Sequence, residues 1–209
     1  MKLTWITDIH LNFLEENKRM DFYQTLISTN SDGVVISGDI AEATSVEPIL
    51  KEMVSTIAKP IYFVLGNHDY YRGSINDFRN KMTSITKDEP FLFWPPASGP
   101  QKLNNDVVLL GHDCFADGRY GDYTNSHVVL NDSRMIVDLF QSSALGKYQL
   151  LEKMQQLADQ DAKELEKSIE QAVHSYNPKK IIILIHVPPF KEVCMHEGKI
   201  SNDDYLPFF

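Results

Sequence analysis

The sequence predicts an α/β fold in which mainly parallel sheets are flanked by helices. Short apolar, β-branched segments alternate with amphipathic ones along the first part of the chain. The strand segments are apolar throughout rather than at every second position, which is typical of strands buried on both faces of a parallel sheet. The 209 residues suffice for one domain with a substantial core, so we expect a single domain over residues 1–209.

Three strands, each followed by a helix, make up the first part of the chain. In order, these predicted pairs are Leu3–Thr7 and Lys18–Thr29, Val34–Ser37 and Ser45–Ile57, and Ile61–Leu65 and Ile75–Ile85. Because strands that alternate with helical segments of this length form β-α-β units, the pattern predicts neighbouring parallel strands.

The second part of the chain is less regular. Phe91–Trp94 precedes two prolines and a segment rich in Gly, Pro and Asn, which predicts an irregular excursion up to Asn105. The remaining predicted elements are the strand Val107–Gly111, a loop over Gly118–Asn131 with a short strand around Val128 and Val129, the helix Gly146–Tyr176 and the strand Lys180–Ile185. Apolar residues three or four apart in the long helix predict that it packs on a sheet.

Charge and composition exclude several classes of partner. The net charge of −9 argues against an extended nucleic-acid surface, because such surfaces need many Lys and Arg residues to neutralise phosphates.

The cysteines Cys114 and Cys194 are far apart, so we expect free thiols in a reducing compartment. Asp8 comes too early for a signal peptide, and no apolar run approaches the ~20 residues of a membrane span. We therefore expect a cytoplasmic protein without a membrane partner, in an oligomeric state that the sequence leaves open.

Polar side chains that can bind metal ions follow four of the predicted strands. In chain order they are Asp8 and His10, then Asp39, then Asn67, His68 and Asp69, and finally His186. Because parallel strands deliver their next residues to one edge of a sheet, we expect these side chains to meet there. Two carboxylates and several imidazoles in one place need compensating positive charge, which divalent cations supply. Oxygen and nitrogen ligands without thiolate favour Mn, Fe, Zn, Co or Ni, and a shared carboxylate can bridge two ions.

Four segments resemble the motifs of one known family. Asp8-Ile9-His10, Gly38-Asp39-Ile40-Ala41-Glu42, Gly66-Asn67-His68-Asp69 and His186-Val187-Pro188-Pro189 are similar, in order and spacing, to the calcineurin-like metallophosphoesterases. The resemblance implies a four-layer α/β sandwich and the hydrolysis of a phosphomonoester or a phosphodiester. The residues themselves specify a bimetallic hydrolase, and only the resemblance makes the reaction specific for phosphorus.

The resemblance also implies a role for each residue at the predicted centre. Asp8 and His10 would hold one metal ion, Asn67 and His186 would hold the second, and Asp39 would bridge the two. Manganese is the preferred metal for both positions, with iron, zinc, cobalt or nickel as alternatives.

The histidine of the Gly-Asn-His motif is implied to act on the substrate. His68 would assist the leaving group without binding metal, while Asp69 or Glu42 orients its ring. A metal-bridging hydroxide would attack a small phosphorylated substrate in line.

One part of the family pattern is missing from this sequence. The family ends in a Gly-His-x-His motif, and nothing of that form follows His186. The chain also ends on the apolar segment Tyr205-Leu206-Pro207-Phe208-Phe209, where free termini are usually polar. We therefore expect a C-terminally incomplete domain that lacks its last strands, with a naturally short protein as the alternative. The function stays open between an active phosphoesterase and a non-catalytic phosphate-binding or protein-interaction module with a degenerate metal site.

Overall fold

Two sheets packed face to face form the centre of the fold in a computed structural model, which describes residues 1–196 and 198–209. The first sheet has four parallel strands in sequential order: β1 (Leu3–Ile6), β2 (Gly33–Ser37), β3 (Ile61–Val64) and β4 (Leu92–Phe93). The second has three strands: β5 (Gln101–Lys102), β6 (Val107–Gly111) and β7 (Lys180–Leu184). In that sheet β6 and β7 are parallel, and β5 is antiparallel. A small hairpin of β8 (Met195–His196) and β9 (Lys199–Ile200) follows.

Helices cover the outer faces of both sheets. They are α1 (Glu16–Ser28), α2 (Val46–Ile57), α3 (Ile75–Asp88), α4 (Pro95–Ser98), α5 (Asp132–Met135), α6 (Val137–Ser143) and α7 (Lys147–Tyr176). Apolar residues of α2 and α3 pack on the first sheet, and Ala172 of α7 packs on Val108 and Leu110 of the second. Between the sheets, Val35 and Val64 of the first pack with Leu109 of the second. The order helix, sheet, sheet, helix gives the four layers, and the predicted fold class is confirmed.

The central strands are buried on both faces, as their uniformly apolar sequences predict. Every residue of β2 and β3 is buried. The edge strands differ, because a strand with a neighbour on one side only is less covered. Trp5 of β1 is 70% exposed, and Ile182 and Ile183 of β7 are 39% and 45% exposed.

The segment between β6 and α7 departs from the sequence expectation. The short strand predicted around Val128 and Val129 does not form, and two short helices, α5 and α6, follow instead. The backbone amide of Val128 bonds the Ser126 hydroxyl, and the Ser133 hydroxyl donates to the Leu130 carbonyl. Local hydrogen bonds from serine side chains thus take the place of a strand ladder.

The structure also bears on membrane spans and on the state of the two cysteines. Within residues 1–196 and 198–209, no helix is both long and apolar enough to cross a lipid bilayer. Cys114 and Cys194 are free thiols, as predicted.

A buried ionic network connects the layers at one end of the second sheet. Arg79 of α3 forms two parallel hydrogen bonds to Asp161 of α7, at 2.9 and 2.8 Å. His112, directly after β6, places Nε2 3.0 Å from Glu164 Oε2 and Nδ1 3.5 Å from Asp161 Oδ2. Burial alone would lower the pKa of His112, but the contacts with Asp161 and with Cys114 outweigh it and raise the pKa to about 10.

The raised pKa of His112 makes stability depend on pH. The contribution is fully present below the unfolded pKa of 6.5 and is lost as the pH rises through about 10. We expect the free energy of unfolding to fall over that window in the native protein and to fall less in His112→Gln, as measured by urea denaturation. His174→Gln, which changes an exposed histidine, serves as the control. If the free energy of unfolding fell equally with pH in the native protein and in His112→Gln, the raised pKa of His112 would be contradicted.

Candidate metal centre

The loops that follow β1 and β2 run side by side beyond the ends of the strands. The amide of Asp8 donates to the Gly38 carbonyl at 3.2 Å, and the amide of His10 donates to the Asp39 carbonyl at 3.0 Å. The parallel pairing of the strands therefore extends into both loops. Asp8, His10 and Asp39 are brought together by the sheet itself.

The backbone is strained at these three residues. Asp8, His10 and Asp39 have φ angles of 52°, 40° and 54°, in the left-handed region that non-glycine residues rarely adopt. Such strain costs of order 1–3 kcal/mol per residue and persists where surrounding contacts enforce it, which is common at functional sites. The contacts here are the hydrogen bonds between the two loops.

Two glycines allow the side chains of the centre to approach each other. A Cβ atom at Gly38 would lie 2.5 Å from His186 Nδ1, and one at Gly66 would clash with the carboxylate of Asp39. Gly38 also has a φ of 97°. Any larger residue at either position would push Asp39 and His186 apart.

Asp39 lies at the middle of the centre and is only 4% exposed. Its Oδ2 atom is 3.7 Å from His10 Nε2 and 3.9 Å from His68 Nε2. Its Oδ1 atom is 3.5 Å from His186 Nε2 and accepts a hydrogen bond from the His68 amide at 3.0 Å. Burial raises the pKa of Asp39, nearby Asp8 raises it further, and His186 and His68 oppose the shift. Each oxygen of this carboxylate thus faces a different group of side chains.

Neighbouring groups determine how His186 and Asn67 are oriented. His186 Nδ1 lies 2.8 Å from the Ser37 carbonyl, which only accepts, so Nδ1 carries the hydrogen. Asn67 Nδ2 donates to Asp132 Oδ1 at 2.8 Å, which turns Asn67 Oδ1 toward His186. The hydroxyl of Tyr71 donates to the same Asp132 oxygen at 2.6 Å.

As a result, atoms that carry lone pairs face each other. His186 Nε2 lies 3.0 Å from Asn67 Oδ1 and 3.5 Å from Asp39 Oδ1. With Nδ1 already protonated, a neutral imidazole has only a lone pair at Nε2, so this lone pair faces two acceptor oxygens. His10 Nδ1 is also buried and has no hydrogen-bond partner within the described part of the chain. A cation placed between His186 Nε2, Asn67 Oδ1 and Asp39 Oδ1 would contact all three, so the donor set fits a divalent metal ion.

Two groups of side chains could each hold an ion, and both include Asp39. One is His10, Asp39 and His68, and the other is Asp8, Asp39 and His186; within each group the ligand atoms lie within 4.8 Å of one another. Asp39 is shared, as a bridging carboxylate requires. Asp8 falls in the group with His186, and His68 is close enough to Asp39 to be a ligand. The assignment of Asp8 and His10 to one ion and of Asn67 and His186 to the other stays a prediction.

Asp69 is surrounded by backbone amides of two loops. Its carboxylate is fully buried and accepts hydrogen bonds from the backbone amides of Ala41 and Gly66, both at 2.8 Å. Burial raises its pKa well above the usual value, and the charge of Asp39 adds to this. The described hydrogen bonds of Asp69 include none to the His68 ring, so an orienting role for it finds no support in the geometry. Asp69 instead ties the loop after β2 to the loop after β3.

Glu42, the alternative orienting residue, forms an ion pair with Arg72 at 3.3 Å. The described ion pairs of His68 involve Asp39 and not Glu42. The His68 ring instead stacks on Tyr71, with 4.3 Å between ring centroids. Tyr71 is therefore the residue that holds the ring.

Sequence reasoning did not identify Asp132 or Ser37 as residues of the centre. Asp132 is 65 positions from Asn67 along the chain, in a segment without a recognisable motif. Ser37 contributes its backbone carbonyl, a group that every residue has, so the residue type at this position gives no signal. Both orient candidate ligands without belonging to the two groups around Asp39.

Comparison with known proteins agrees with this architecture. A sequence model of the calcineurin-like phosphoesterases matches residues 1–207. None of the curated proteins compared matches the chain. Among solved structures, phosphopantetheinyl hydrolase from Mycobacterium tuberculosis is similar with a TM-score of 0.59 and 13% identity, over 98% of this chain and 74% of that one. At this identity the likeness concerns the fold.

The central position of Asp39 leads to a test of metal binding. Loss of a partner outside the ligand shell already weakens metal binding by about 10–100-fold, so Asp39→Asn should weaken Mn²⁺ binding at least as much. Calorimetric titration of metal-free protein with Mn²⁺ measures this directly. Asp21→Asn, which changes an exposed carboxylate on α1, should bind Mn²⁺ as the native protein does. Unchanged stoichiometry and affinity in Asp39→Asn would rule out a bridging carboxylate.

Proposed function

The chain belongs to the calcineurin-like phosphoesterase family, and from this we propose that it hydrolyses a small phosphomonoester or phosphodiester with the help of two divalent metal ions. The observation that carries the proposal is the set of acceptor atoms facing one another around Asp39. Positive charge between its members, as metal ions supply, would stabilise such a set. In the hydrolysis of a phosphate ester, the same positive charge would neutralise the negative charge on the attacking and leaving oxygens.

The proposed ligands are Asp8, His10, Asn67 and His186, with Asp39 shared between the two ions. When bound, paired ions lower the pKa of water toward 7 and neutralise charge on the attacking and leaving oxygens. The hydrogen bonds from His186 to Ser37 and from Asn67 to Asp132 keep their free ligand atoms aimed at the centre. Manganese remains the preferred metal.

His68 is proposed to protonate the leaving oxygen. It is partly exposed, unlike Asp39, so a substrate can reach its ring. The ring stacks on Tyr71 and meets His10 edge-on, with 4.7 Å between centroids, which fixes its direction. His68 also lies near the His10 group, so the metal content of a His68 variant separates the role of catalyst from that of ligand.

The acidic surface is compatible with an anionic substrate. Two divalent ions would add four positive charges, and Asp8 and Asp39 would neutralise two of them. Exposed charges elsewhere are screened within about 8–10 Å at physiological ionic strength. A phosphate bound at the centre therefore experiences local positive charge although the chain carries a net −9. A small phosphorylated substrate in the cytoplasm is the proposed partner, and an extended nucleic acid is not.

A direct test uses metal-free protein reloaded with Mn²⁺ and two chromogenic substrates. We expect 4-nitrophenyl phosphate or bis(4-nitrophenyl) phosphate to be hydrolysed, and activity to disappear when a chelator removes the metal. The ester that reacts distinguishes a monoesterase from a diesterase. Protein that binds Mn²⁺ and hydrolyses neither ester would instead be the non-catalytic phosphate-binding or protein-interaction module.

His68→Ala tests the role of the partly exposed histidine. General acid assistance contributes about 10²–10⁴-fold, so kcat should fall by that factor while Mn²⁺ binding stays unchanged. His174→Ala, which removes an exposed histidine at the end of α7, is the matched control. Loss of bound Mn²⁺ in His68→Ala would show that this residue is a ligand rather than the acid.

A further inference from the structure

A cavity of about 380 Å³ lies beneath the segment between β6 and α7. Apolar side chains dominate its wall, among them Phe115, Tyr123, Leu139, Met154, Leu157 and Phe208. The volume is within the range of about 300–1,000 Å³ that is typical of sites for small molecules. Three separate parts of the chain form the wall, namely the loop after β6, helices α5 to α7, and the last residues.

The cavity adjoins the candidate metal centre through one shared residue. Asp132 forms part of the cavity wall, and the same side chain accepts the hydrogen bond from Asn67. Tyr71, which also donates to Asp132, stacks on His68. One side chain therefore separates the cavity from a proposed metal ligand.

Several polar groups in the wall are engaged in bonds within the protein. The Ser126 hydroxyl donates to the Asp204 carbonyl, and the Ser133 hydroxyl donates to the Leu130 carbonyl. The Lys147 ammonium donates to the carbonyls of Thr124 and Ser126. Because these groups already have partners, the cavity recognises a ligand mainly through apolar contact.

We infer that this cavity binds the apolar organic group of the phosphoester whose phosphate lies at the candidate metal centre. The inference rests on the proposed function and narrows its substrate to esters of apolar or amphipathic alcohols. The positive centre would select the phosphate, and the apolar wall would select the alcohol. Asp132, which lines the cavity and orients Asn67, lies between the two parts.

The first experiment measures hydrolysis of a series of n-alkyl phosphates from butyl to decyl. Each methylene group transferred from water to an apolar site is worth about 0.8 kcal/mol, so kcat/KM should rise up to about fourfold per methylene until the cavity is full. Released inorganic phosphate gives the rate for every member of the series. Equal kcat/KM across the series would overturn the inference.

Two variants reduce the space in the cavity from different sides. Leu150→Trp adds bulk from α7 and Val128→Trp adds it from the loop, and both positions are only partly buried, so a larger side chain can be accommodated. In each variant the ratio of kcat/KM for decyl phosphate to that for butyl phosphate should fall at least tenfold. Leu145→Trp, the same change at a 77% exposed position outside the cavity wall, should leave the ratio unchanged. A ratio that stays high in both cavity variants would contradict the assignment.

A binding measurement on metal-free protein separates this inference from the proposed function. We expect 1-octanol to raise the melting temperature of the native protein and of Leu145→Trp, and to raise it less in Leu150→Trp. If 4-nitrophenyl phosphate is hydrolysed but 1-octanol has no effect and chain length does not matter, the inference fails and the function stands. If 1-octanol binds but no ester is hydrolysed, the assignment of the cavity to a phosphoester fails together with the proposed function.

Discussion

The arrangement depends on one electrostatic constraint, which is that several hydrogen-bond acceptors meet around the buried carboxylate of Asp39. His186 and Asn67 cannot relieve this by rotation, because Ser37 holds one ring nitrogen and Asp132 holds the amide. Positive charge between these atoms, as a bound cation supplies, would stabilise their close approach. The convergence of lone pairs on Asp39 therefore favours metal binding.

The rest of the fold keeps this arrangement rigid. Paired loops extend the parallel sheet to Asp8 and Asp39, and the strained backbone at these positions is held by the hydrogen bonds between the loops. Gly38 and Gly66 leave room for Asp39 and His186 to approach. The buried carboxylate of Asp69 ties the loops after β2 and β3 together through backbone amides. Asp113, after β6 of the second sheet, connects the loop after β3 to the residue after β4, since it accepts from the Leu65 amide, the Tyr70 hydroxyl and the Trp94 indole.

Two environments of opposite character lie on either side of Asp132. On one side are the carboxylates, imidazoles and amide around Asp39, and on the other is a cavity whose wall is mostly apolar. A molecule with a phosphate at one end and an apolar group at the other matches both. The helices α5 and α6 make this possible, because they bring Asp132 to Asn67 across 65 positions of the chain.

The sequence by itself determined the fold class and the place where polar side chains would gather. Uniformly apolar strands such as β2 can only be stable in the interior of a parallel sheet, and residues directly after such strands necessarily reach one edge. The roles of Asp8, His10, Asn67 and His186 as ligands stay predictions. Only the tertiary structure decided which groups orient these side chains, because the Ser37 carbonyl and the Asp132 carboxylate act through contacts between distant segments. The role of Asp69 beside His68 stays a prediction, and only the tertiary structure shows that its buried carboxylate accepts from the backbone amides of Ala41 and Gly66.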